Sequence, residues 1–429
     1  MRLQTSTTFL STLLFSTSTL SARTNLNIQP EAKHLENANA ESSHLWVTHY
    51  NGNVYTLSFD GDKLSISDTQ KTCGGMPSWL TYDSQSKIVY CSDENGTADA
   101  STHGTLSAYS VGAGAKLKEI AKTNTIGGGV NSVIYEGEGD DKYIAIAHYE
   151  GSAVSTYALP LKSNSHAKQK LHFTMSHKGA TSQQDAPHPH EVFLDPTGSF
   201  LISPDLGADL LRIYNINPHT GHLKTCPPLN VTFGSGPRHG LFWTDGTDNN
   251  NSTNGAGAPS HERQVAAVGK TVMYLVNEIG GTMNSFDVSY ARSGCLDLQV
   301  KQTLVPYTGD MPEGATPAEI RMIGDKFYVS VRSDGGFDGN DSIVELKRGK
   351  NEKVSVLGKT DAWGVVPRTM VINRRGDLVA IGNQASSNVA IVRRDRETGD
   401  LGEKVAVLDV GDSGEPGTAT GLSSVIWAE

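Results

Sequence analysis

The sequence predicts an all-β protein: a seven-bladed β-propeller of four-stranded antiparallel blades, formed by residues 43–429. Two observations predict it: a recurring order of apolar strands and polar turns, and the spacing of the repeats. The repeat is clearest at 189–223, where apolar strands alternate with turns such as Asp195–Gly198. A period of about 50 residues with about four strands in each unit is typical of propeller blades.

Six copies of the repeat follow one another along the chain. They cover residues 77–117, 130–163, 189–223, 237–296, 317–354 and 367–401. A partial copy at 45–64 lacks its first strand, and the chain ends in an apolar strand, Leu422–Trp427. The partial copy and this last strand together would form a seventh blade and close the ring without exposed sheet edges. A pair of β-sandwiches, the alternative, does not predict a repeat shared by all units.

One copy of the repeat carries an insert. Residues 244–263 are rich in Asn and Gly and fall where other copies have the turn between their first and second strands. We expect this insert to be a mobile surface loop.

The composition favours short strands joined by tight turns and argues against two classes of function. The chain has 45 glycines, 19% charged residues and a formal net charge of −10. An acidic surface repels phosphate backbones, which argues against nucleic-acid binding. No apolar run reaches the roughly 18 residues of a transmembrane helix, so no membrane span is expected. The oligomeric state cannot be read from the sequence.

The N-terminus is typical of a secretory signal peptide at residues 1–22, followed by a disordered leader at 23–42. Arg2 precedes a short apolar stretch, Phe9–Phe15, and small residues follow at Ser21 and Ala22. A mitochondrial transit peptide is the alternative, since no acidic residue occurs this early in the chain. The leader is polar and carries no periodic pattern.

Sequons and cysteines favour a secreted protein that is extracellular or lies in a cell wall. Candidate glycosylation sites are Asn95, Asn230, Asn250, Asn251 and Asn340. Cys73 and Cys91 lie at the same end of one predicted hairpin, so a disulfide between them is possible. Cys226 and Cys295 follow the ends of successive units and could also pair, while four free thiols is the alternative.

Polar side chains are predicted to gather where each blade meets the central channel. The residue that enters the first strand and the residue that leaves the second are neighbours in an antiparallel pair. The entering residues are His190, Arg238, Glu319 and Arg368, and the leaving residues are His148, Asp205, Glu278, Arg332 and Asn383. Each alone could be a strand cap or a channel salt bridge. Together, one His, one Glu and two Arg at one mouth favour a functional site.

Several familiar catalytic motifs are absent from the sequence. There is no Gly-x-Ser-x-Gly elbow, no His-Glu-x-x-His and no phosphate-binding loop. No paired His or Asp spacing indicates a metal site, so neither a metal nor another cofactor is predicted.

Five segments together resemble the seven-bladed lactonase family. They are His-Pro-His-Glu-Val-Phe-Leu-Asp-Pro-Thr-Gly (188–198), Gly-Pro-Arg-His (236–239), Val-Asn-Glu (276–278), Pro-Ala-Glu-Ile-Arg (317–321) and Pro-Arg with Gly-Asn (367–383). The family includes bacterial 6-phosphogluconolactonases and the fungal 3-carboxy-cis,cis-muconate lactonising enzyme. The resemblance covers nearly all of residues 43–429 and does not identify the substrate.

The resemblance implies an enzyme that opens or closes a lactone ring on a small carboxylated substrate by metal-independent acid–base catalysis. The residues that match the proposed catalytic set of the fungal enzyme are His190, Arg238, Glu278 and Arg332. His190 and Glu278 would move the proton, and Arg238 and Arg332 would hold a carboxylate. Further substrate-binding candidates are Asp205, Arg368 and Asn383. The expected partner is a small lactone or carboxylate.

Two alternatives remain open at this point. A divalent cation held by Asp205, Glu278 and Asn383 could drive the same chemistry, although two nearby arginines would repel it. The chain could also be a non-catalytic surface glycoprotein on the same propeller, because a fold does not fix a function.

Overall fold

The structure, a computed structural model, describes residues 43–99, 101–245 and 269–429. The predicted signal peptide (1–22), the leader (23–42) and the sequons at Asn250 and Asn251 lie outside the described residues. Within them the chain forms seven antiparallel sheets arranged in a ring, as the repeat predicts. The all-β fold and the seven blades are confirmed.

Blade 1 contains both ends of the ring. Its innermost strand is the last of the chain, Leu422–Trp427, which pairs with Ser43–His49; Asn53–Phe59 and Leu64–Lys71 follow outward. Val47 lies opposite Val425, and Trp46 lies opposite Ile426. The closure expected from the incomplete first repeat is therefore confirmed, and it pairs an edge that would otherwise be exposed.

Blades 2 to 4 follow in chain order, each running from its innermost strand outward. The strands of blade 2 are Pro77–Asp83, Ile88–Asp93, Gly104–Val111 and Leu117–Thr125. The strands of blade 3 are Gly129–Glu136, Lys142–His148, Ala153–Leu159 and Gln169–His172. The strands of blade 4 are Phe193–Leu194, Phe200–Asp205, Leu210–Ile216 and Leu223–Thr225, with Leu229–Asn230 also pairing to the third.

Blades 5 to 7 repeat the pattern. The strands of blade 5 are Pro237–Thr244, Thr271–Asn277, Thr282–Tyr290 and Leu296–Leu304. The strands of blade 6 are Thr316–Ile323, Lys326–Arg332, Ser342–Arg348 and Val354–Asp361. The strands of blade 7 are Pro367–Ile372, Leu378–Asn383, Asn388–Arg394 and Leu401–Asp409. Two short 3-10 helices, Ala113–Ala115 and Ser182–Gln184, are the helices of the described residues.

The hydrophobic core lies between the blades rather than at one centre. Strand residues alternate between the two faces of a sheet, and both faces of a blade meet a neighbour. Each of the seven junctions accordingly has its own apolar cluster. Between blades 5 and 6, for example, Tyr274 packs against Phe327 with ring centroids 4.6 Å apart. The ring therefore forms a closely packed frame for the residues at its channel.

Two disulfides tie neighbouring blades together. Cys73, which follows the outer strand of blade 1, bonds to Cys91 in the second strand of blade 2. Cys226, after the fourth strand of blade 4, bonds to Cys295 in the last turn of blade 5. Both pairings considered from the sequence are present, and the alternative of four free thiols is wrong.

The insert lies between the first two strands of blade 5, where the sequence placed it. Those strands end at Thr244 and begin at Thr271, and residues 246–268 are outside the described part. Among the described residues, no helix is long and apolar enough to cross a membrane.

Candidate active site

Most first strands begin with a β-bulge at the channel. The register shifts that mark it lie after Pro77, Gly129, Pro237, Pro317 and Pro367. The extra residue of the bulge is Arg238 in blade 5 and Arg368 in blade 7. Bulges bend a strand and re-aim side chains. In blade 4, His190 has the corresponding place, directly after Pro189, which bridges to Asp205.

A second ring of side chains comes from the residue directly after each second strand. In blade order these residues are Tyr50, Glu94, Tyr149, Leu206, Glu278, Ser333 and Gln384. All seven line one pocket of about 460 Å³ at the channel mouth. His190, Arg332 and Arg368 line it too. The channel mouth expected from hairpin topology is therefore a real pocket, built from every blade.

The structure does not bring Asp205 and Asn383 to this pocket. The carboxylate of Asp205 accepts a hydrogen bond from Arg212 Nε at 2.8 Å, and Asn383 Nδ2 donates to Ala362 O and Asn388 Oδ1, each at 2.9 Å. Both residues are the last of their strands, one position before the lining residue. Successive strand side chains point to opposite faces, so a shift of one position turns them into the blade.

His148 follows the same rule. It ends the second strand of blade 3, is fully buried, and its Nε2 lies 2.7 Å from Ser155 Oγ. The next residue, Tyr149, is the one that lines the pocket. We expected the last residue of each second strand to reach the channel. In blades 3, 4 and 7 the residue after it does so instead, whereas in blade 6 the last strand residue, Arg332, reaches the channel.

Glu278 lies between two arginines. Its Oε2 is 2.7 Å from Arg238 Nε, and its Oε1 is 2.6 Å from Arg332 Nη2. Burial alone would raise the pKa of the Glu278 carboxyl, but Arg332 and Arg238 outweigh it and hold the pKa below its usual value. The carboxylate is thus ionised and fully engaged.

The two arginines are fixed by further contacts. Arg238 is almost completely buried and donates from Nη1 to Ala318 O at 2.9 Å, while Arg332 donates from Nη2 to Thr316 Oγ1 at 2.9 Å. Burial, together with the nearby Arg332, lowers the pKa of Arg238 to about 10, so the guanidinium stays charged. The carboxylate clamp expected of this pair is therefore already occupied by Glu278.

His190 also lines this pocket, and its imidazole forms no ion pair among the described residues. It is 6% exposed, and its Nδ1 is buried without a hydrogen-bond partner among the described residues. The rings of Tyr149 and His239 pack against it at 5.7 and 5.2 Å between centroids. Burial lowers the pKa of His190 well below 6.5, and Arg238 lowers it further. The imidazole is neutral at pH 7.

Arg368 faces a different partner across the ring. Its Nη2 is 3.7 Å from Glu94 Oε2, and its guanidinium carbon lies 5.7 Å from the centre of the Tyr50 ring. The same Glu94 oxygen accepts hydrogen bonds from Tyr50 and Ser78, both at 2.6 Å. Burial alone would lower the pKa of Arg368, but Tyr50 and Glu94 outweigh it and raise the pKa.

Tyr50, Glu94 and Tyr149 were missed by the sequence reasoning. The residue type at this position varies around the ring between Tyr, Glu, Leu, Ser and Gln, so no motif marks it. Their shared signal is positional: each follows directly after a predicted second strand, as Glu278 does. Counting that position in all blades would have found them.

Glu319 lies outside the pocket lining, in a buried group beside it. Its Oε1 is 2.7 Å from Arg321 Nη1 and 3.0 Å from His239 Nδ1. Arg321 and His239 outweigh the effect of burial and hold the pKa of Glu319 below its usual value.

A cation site is not assembled from the residues considered for it. Asp205 binds within its own blade, Asn383 binds Asn388 and the segment that precedes blade 7, and Glu278 is flanked by two positive charges. Across residues 43–99, 101–245 and 269–429, no group of three His, Cys, Asp or Glu stands close enough to hold a metal ion.

Comparison with known proteins identifies the family. The sequence model described as "Lactonase, 7-bladed beta-propeller" matches residues 44–415. The chain belongs to the seven-bladed lactonase family. The resemblance drawn from the sequence segments is thereby confirmed.

Proteins named as lactonases are found among both the sequence relatives and the structural relatives. A "Probable 6-phosphogluconolactonase" of Arthroderma benhamiae is 27% identical over 81% of this chain and 81% of that protein. A "6-phosphogluconolactonase" of Formosa agariphila is 25% identical over 76% and 83%. The periplasmic gluconolactonase PpgL of Pseudomonas aeruginosa shares the fold, with a TM-score of 0.69, 19% identity and coverage of 90% and 99%.

Proposed function

We propose that this protein hydrolyses a small lactone in the channel pocket, with His190 accepting the proton from the attacking water. One observation carries the proposal: His190 lines the pocket with an imidazole that burial keeps neutral. A neutral imidazole has a lone pair available for a proton, as a general base requires. Membership of the lactonase family supplies the reaction class.

The proposed step balances with the groups of the pocket. Water adds to the lactone carbonyl carbon while its proton passes to His190. The bond between that carbon and the ring oxygen then breaks, and the proton returns to the ring oxygen, giving a hydroxy acid. Arg332 lines the pocket, and the N–H groups that Glu278 does not bind would stabilise the negative charge that develops on the carbonyl oxygen.

Glu278 has a positioning role in this proposal rather than a proton-transfer role. Both of its carboxylate oxygens contact guanidinium groups, so neither is free to accept a proton from water. It holds Arg332 against the pocket and offsets the charge of buried Arg238. This differs from the expectation that Glu278 shares the proton with His190.

A muconate-type substrate and ring closure receive less support. Such a substrate is anionic, and the expected carboxylate clamp, Arg238 and Arg332, already binds Glu278. Metal-independent hydrolysis is supported by the same pair, because two guanidiniums beside Glu278 repel a cation.

A panel of lactones tests the proposed activity. Wild type is assayed on aldonolactones, 6-phosphogluconolactone and muconolactones, with and without chelator, beside His190→Ala and the control His148→Gln. His148 is a buried histidine that does not line the pocket. We expect turnover that resists chelator, survives in His148→Gln and falls by about 10²–10⁴-fold in His190→Ala. Ligand binding without turnover of any lactone would favour the non-catalytic alternative.

We further propose that the protein acts outside the cell. Two disulfides support this, because such bonds persist mainly in oxidising compartments. The sequons at Asn95 and Asn230 are exposed, and that at Asn340 is half-buried. Expression of the full chain in a secreting host should give a mature N-terminus after residue 22 and a mass that glycosidase lowers. Retention in mitochondria would contradict the proposal.

A further inference from the structure

A second polar group lies across the pocket from His190. Arg368 of blade 7, Tyr50 of blade 1 and Glu94 of blade 2 form it, and all three line the pocket. His190 comes from blade 4, on the other side of the ring. A substrate that spans the channel would therefore meet this group with the end remote from its reacting carbonyl.

Each arginine of the described pocket lining already has a carboxylate partner. The lining contains the carboxylates of Glu94, Glu150 and Glu278 and the guanidiniums of Arg332 and Arg368, with no lysine among the lining residues. Arg332 is paired with Glu278 at 2.6 Å, and Arg368 with Glu94 at 3.7 Å. A phosphate dianion entering here would find no uncompensated cation in the described lining, and it would lose its hydration.

Hydroxyl groups, in contrast, fit the chemistry of this side of the pocket. Tyr50, Gln384 and Thr418 line it beside Glu94. Phenol, amide, hydroxyl and carboxylate groups together supply both donors and acceptors, which is what a polyol needs.

We propose that Glu94 sets the charge preference of the pocket: by neutralising Arg368, it favours uncharged, hydroxyl-rich lactones over lactones that carry a phosphate. This inference rests on the proposed lactone hydrolysis and names its substrate class. It sets this chain apart from the 6-phosphogluconolactonase names of its relatives. Glu94 is then a specificity-determining residue, and Arg368 is the cation it masks.

The variant Glu94→Gln isolates the charge. Its amide oxygen can still accept the hydrogen bonds of Tyr50 and Ser78, but Arg368 loses its counter-charge. The measurement is the ratio of kcat/KM for glucono-δ-lactone to that for 6-phosphoglucono-δ-lactone. Wild type should prefer the neutral lactone, and Glu94→Gln should shift the ratio at least about tenfold toward the phosphorylated one, as expected for one new charge-assisted hydrogen bond.

The matched control is Glu150→Gln. Glu150 also lines the pocket, but it is exposed and forms no ion pair among the described residues. Removing its charge should leave the ratio within about twofold of wild type, because exposed charges are screened. Equal shifts in both variants would mean that the general field of the pocket, and not Glu94, sets the preference.

Titration with inorganic phosphate separates this inference from the proposed function. Calorimetry should detect phosphate binding to Glu94→Gln at least about tenfold tighter than to wild type, whether or not any lactone is turned over. If wild type hydrolyses no lactone but this difference appears, lactone hydrolysis fails and the masking of Arg368 stands. Equal phosphate affinity, or a wild type that prefers the phosphorylated lactone, would overturn the inference.

Discussion

Glu278 Oε1 lies 2.6 Å from Arg332 Nη2. This contact links blades 5 and 6, because Glu278 follows the second strand of blade 5 and Arg332 ends the second strand of blade 6. The other oxygen of Glu278 contacts Arg238 at 2.7 Å. One carboxylate thus fixes Arg332 of the pocket lining and Arg238, which is buried outside that lining. This relationship makes Glu278 a residue whose loss affects both stability and activity.

Replacing Glu278 by Gln should lower the free energy of unfolding. Arg238 would remain almost completely buried without its counter-charge, and breaking a buried pair in this way costs about 3–5 kcal/mol. Urea unfolding at pH 7 measures the change. A matched variant, Glu352→Gln, removes a carboxylate that contacts the more exposed Lys270 and Lys301 and should cost about 1 kcal/mol or less. Equal losses would show that burial of the Glu278 group is not decisive.

Asp205→Asn should reduce stability without reducing kcat/KM in the folded enzyme. Asp205 binds Arg212 at 2.7 Å and accepts from the backbone N–H groups of His188 and Ala208, all away from the pocket lining. Loss of the charged partner of Arg212 should cost about 1–3 kcal/mol. Thermal unfolding measures the stability, and lactone assays made well below the unfolding midpoint measure kcat/KM of the folded enzyme. A variant of full stability but reduced kcat/KM would restore Asp205 to the site.

Lowering the pH from 7 to 5 should destabilise the fold through its buried histidines. Burial lowers the pKa of His148 to about 3, against 6.5 in the unfolded chain. Because the unfolded state binds the proton more readily between these values, stability is lost as the pH falls below 6.5. Down to pH 5 this amounts to roughly 2 kcal/mol for this one group.

The variant His148→Gln checks this linkage. Gln cannot titrate, yet it can keep a hydrogen bond to Ser155 Oγ, which lies 2.7 Å from Nε2 in wild type. The difference in unfolding free energy between pH 7 and pH 5 should be smaller in the variant by about the same roughly 2 kcal/mol. An unchanged pH dependence would show that His148 does not carry the effect.

The two disulfides should differ in their contribution to stability. The Cys226–Cys295 bond closes a separation of 69 residues, and the Cys73–Cys91 bond one of 18. Chain-entropy arguments give about 4 kcal/mol for the first and about 3 kcal/mol for the second. Unfolding of the Cys226→Ser/Cys295→Ser and Cys73→Ser/Cys91→Ser double variants compares them. A larger loss for the shorter loop would contradict this ordering.

The fold was predictable because the repeat encodes it several times. Each copy gives the same strand order, and the apolar strand Leu422–Trp427 had no other place than the incomplete first blade. Hairpin topology placed His190, Glu278, Arg332 and Arg368 at the channel, and all four line the pocket. It also placed Arg238 there, but Arg238 is buried outside the lining.

The remaining site details depend on positions that strand patterns leave uncertain by one residue. Asp205 and Asn383 are the last residues of their strands, and alternation turns them into the blade. Their successors Leu206 and Gln384 line the pocket instead. The pairing of Glu278 with both arginines could not be predicted from the sequence, because the sign of a charge does not specify which partner it meets.

The pH profile of kcat/KM for wild type and His190→Ala tests the central claim most directly. A base must be deprotonated, and burial holds the pKa of His190 well below 6.5. Hydrolysis of the best neutral lactone by wild type should therefore stay constant from pH 8 through 6.5 and decline only at a lower pH. His190→Ala should lose about 10²–10⁴-fold of the rate together with this acidic decline. A variant that keeps the wild-type rate and the same acidic decline would contradict the account.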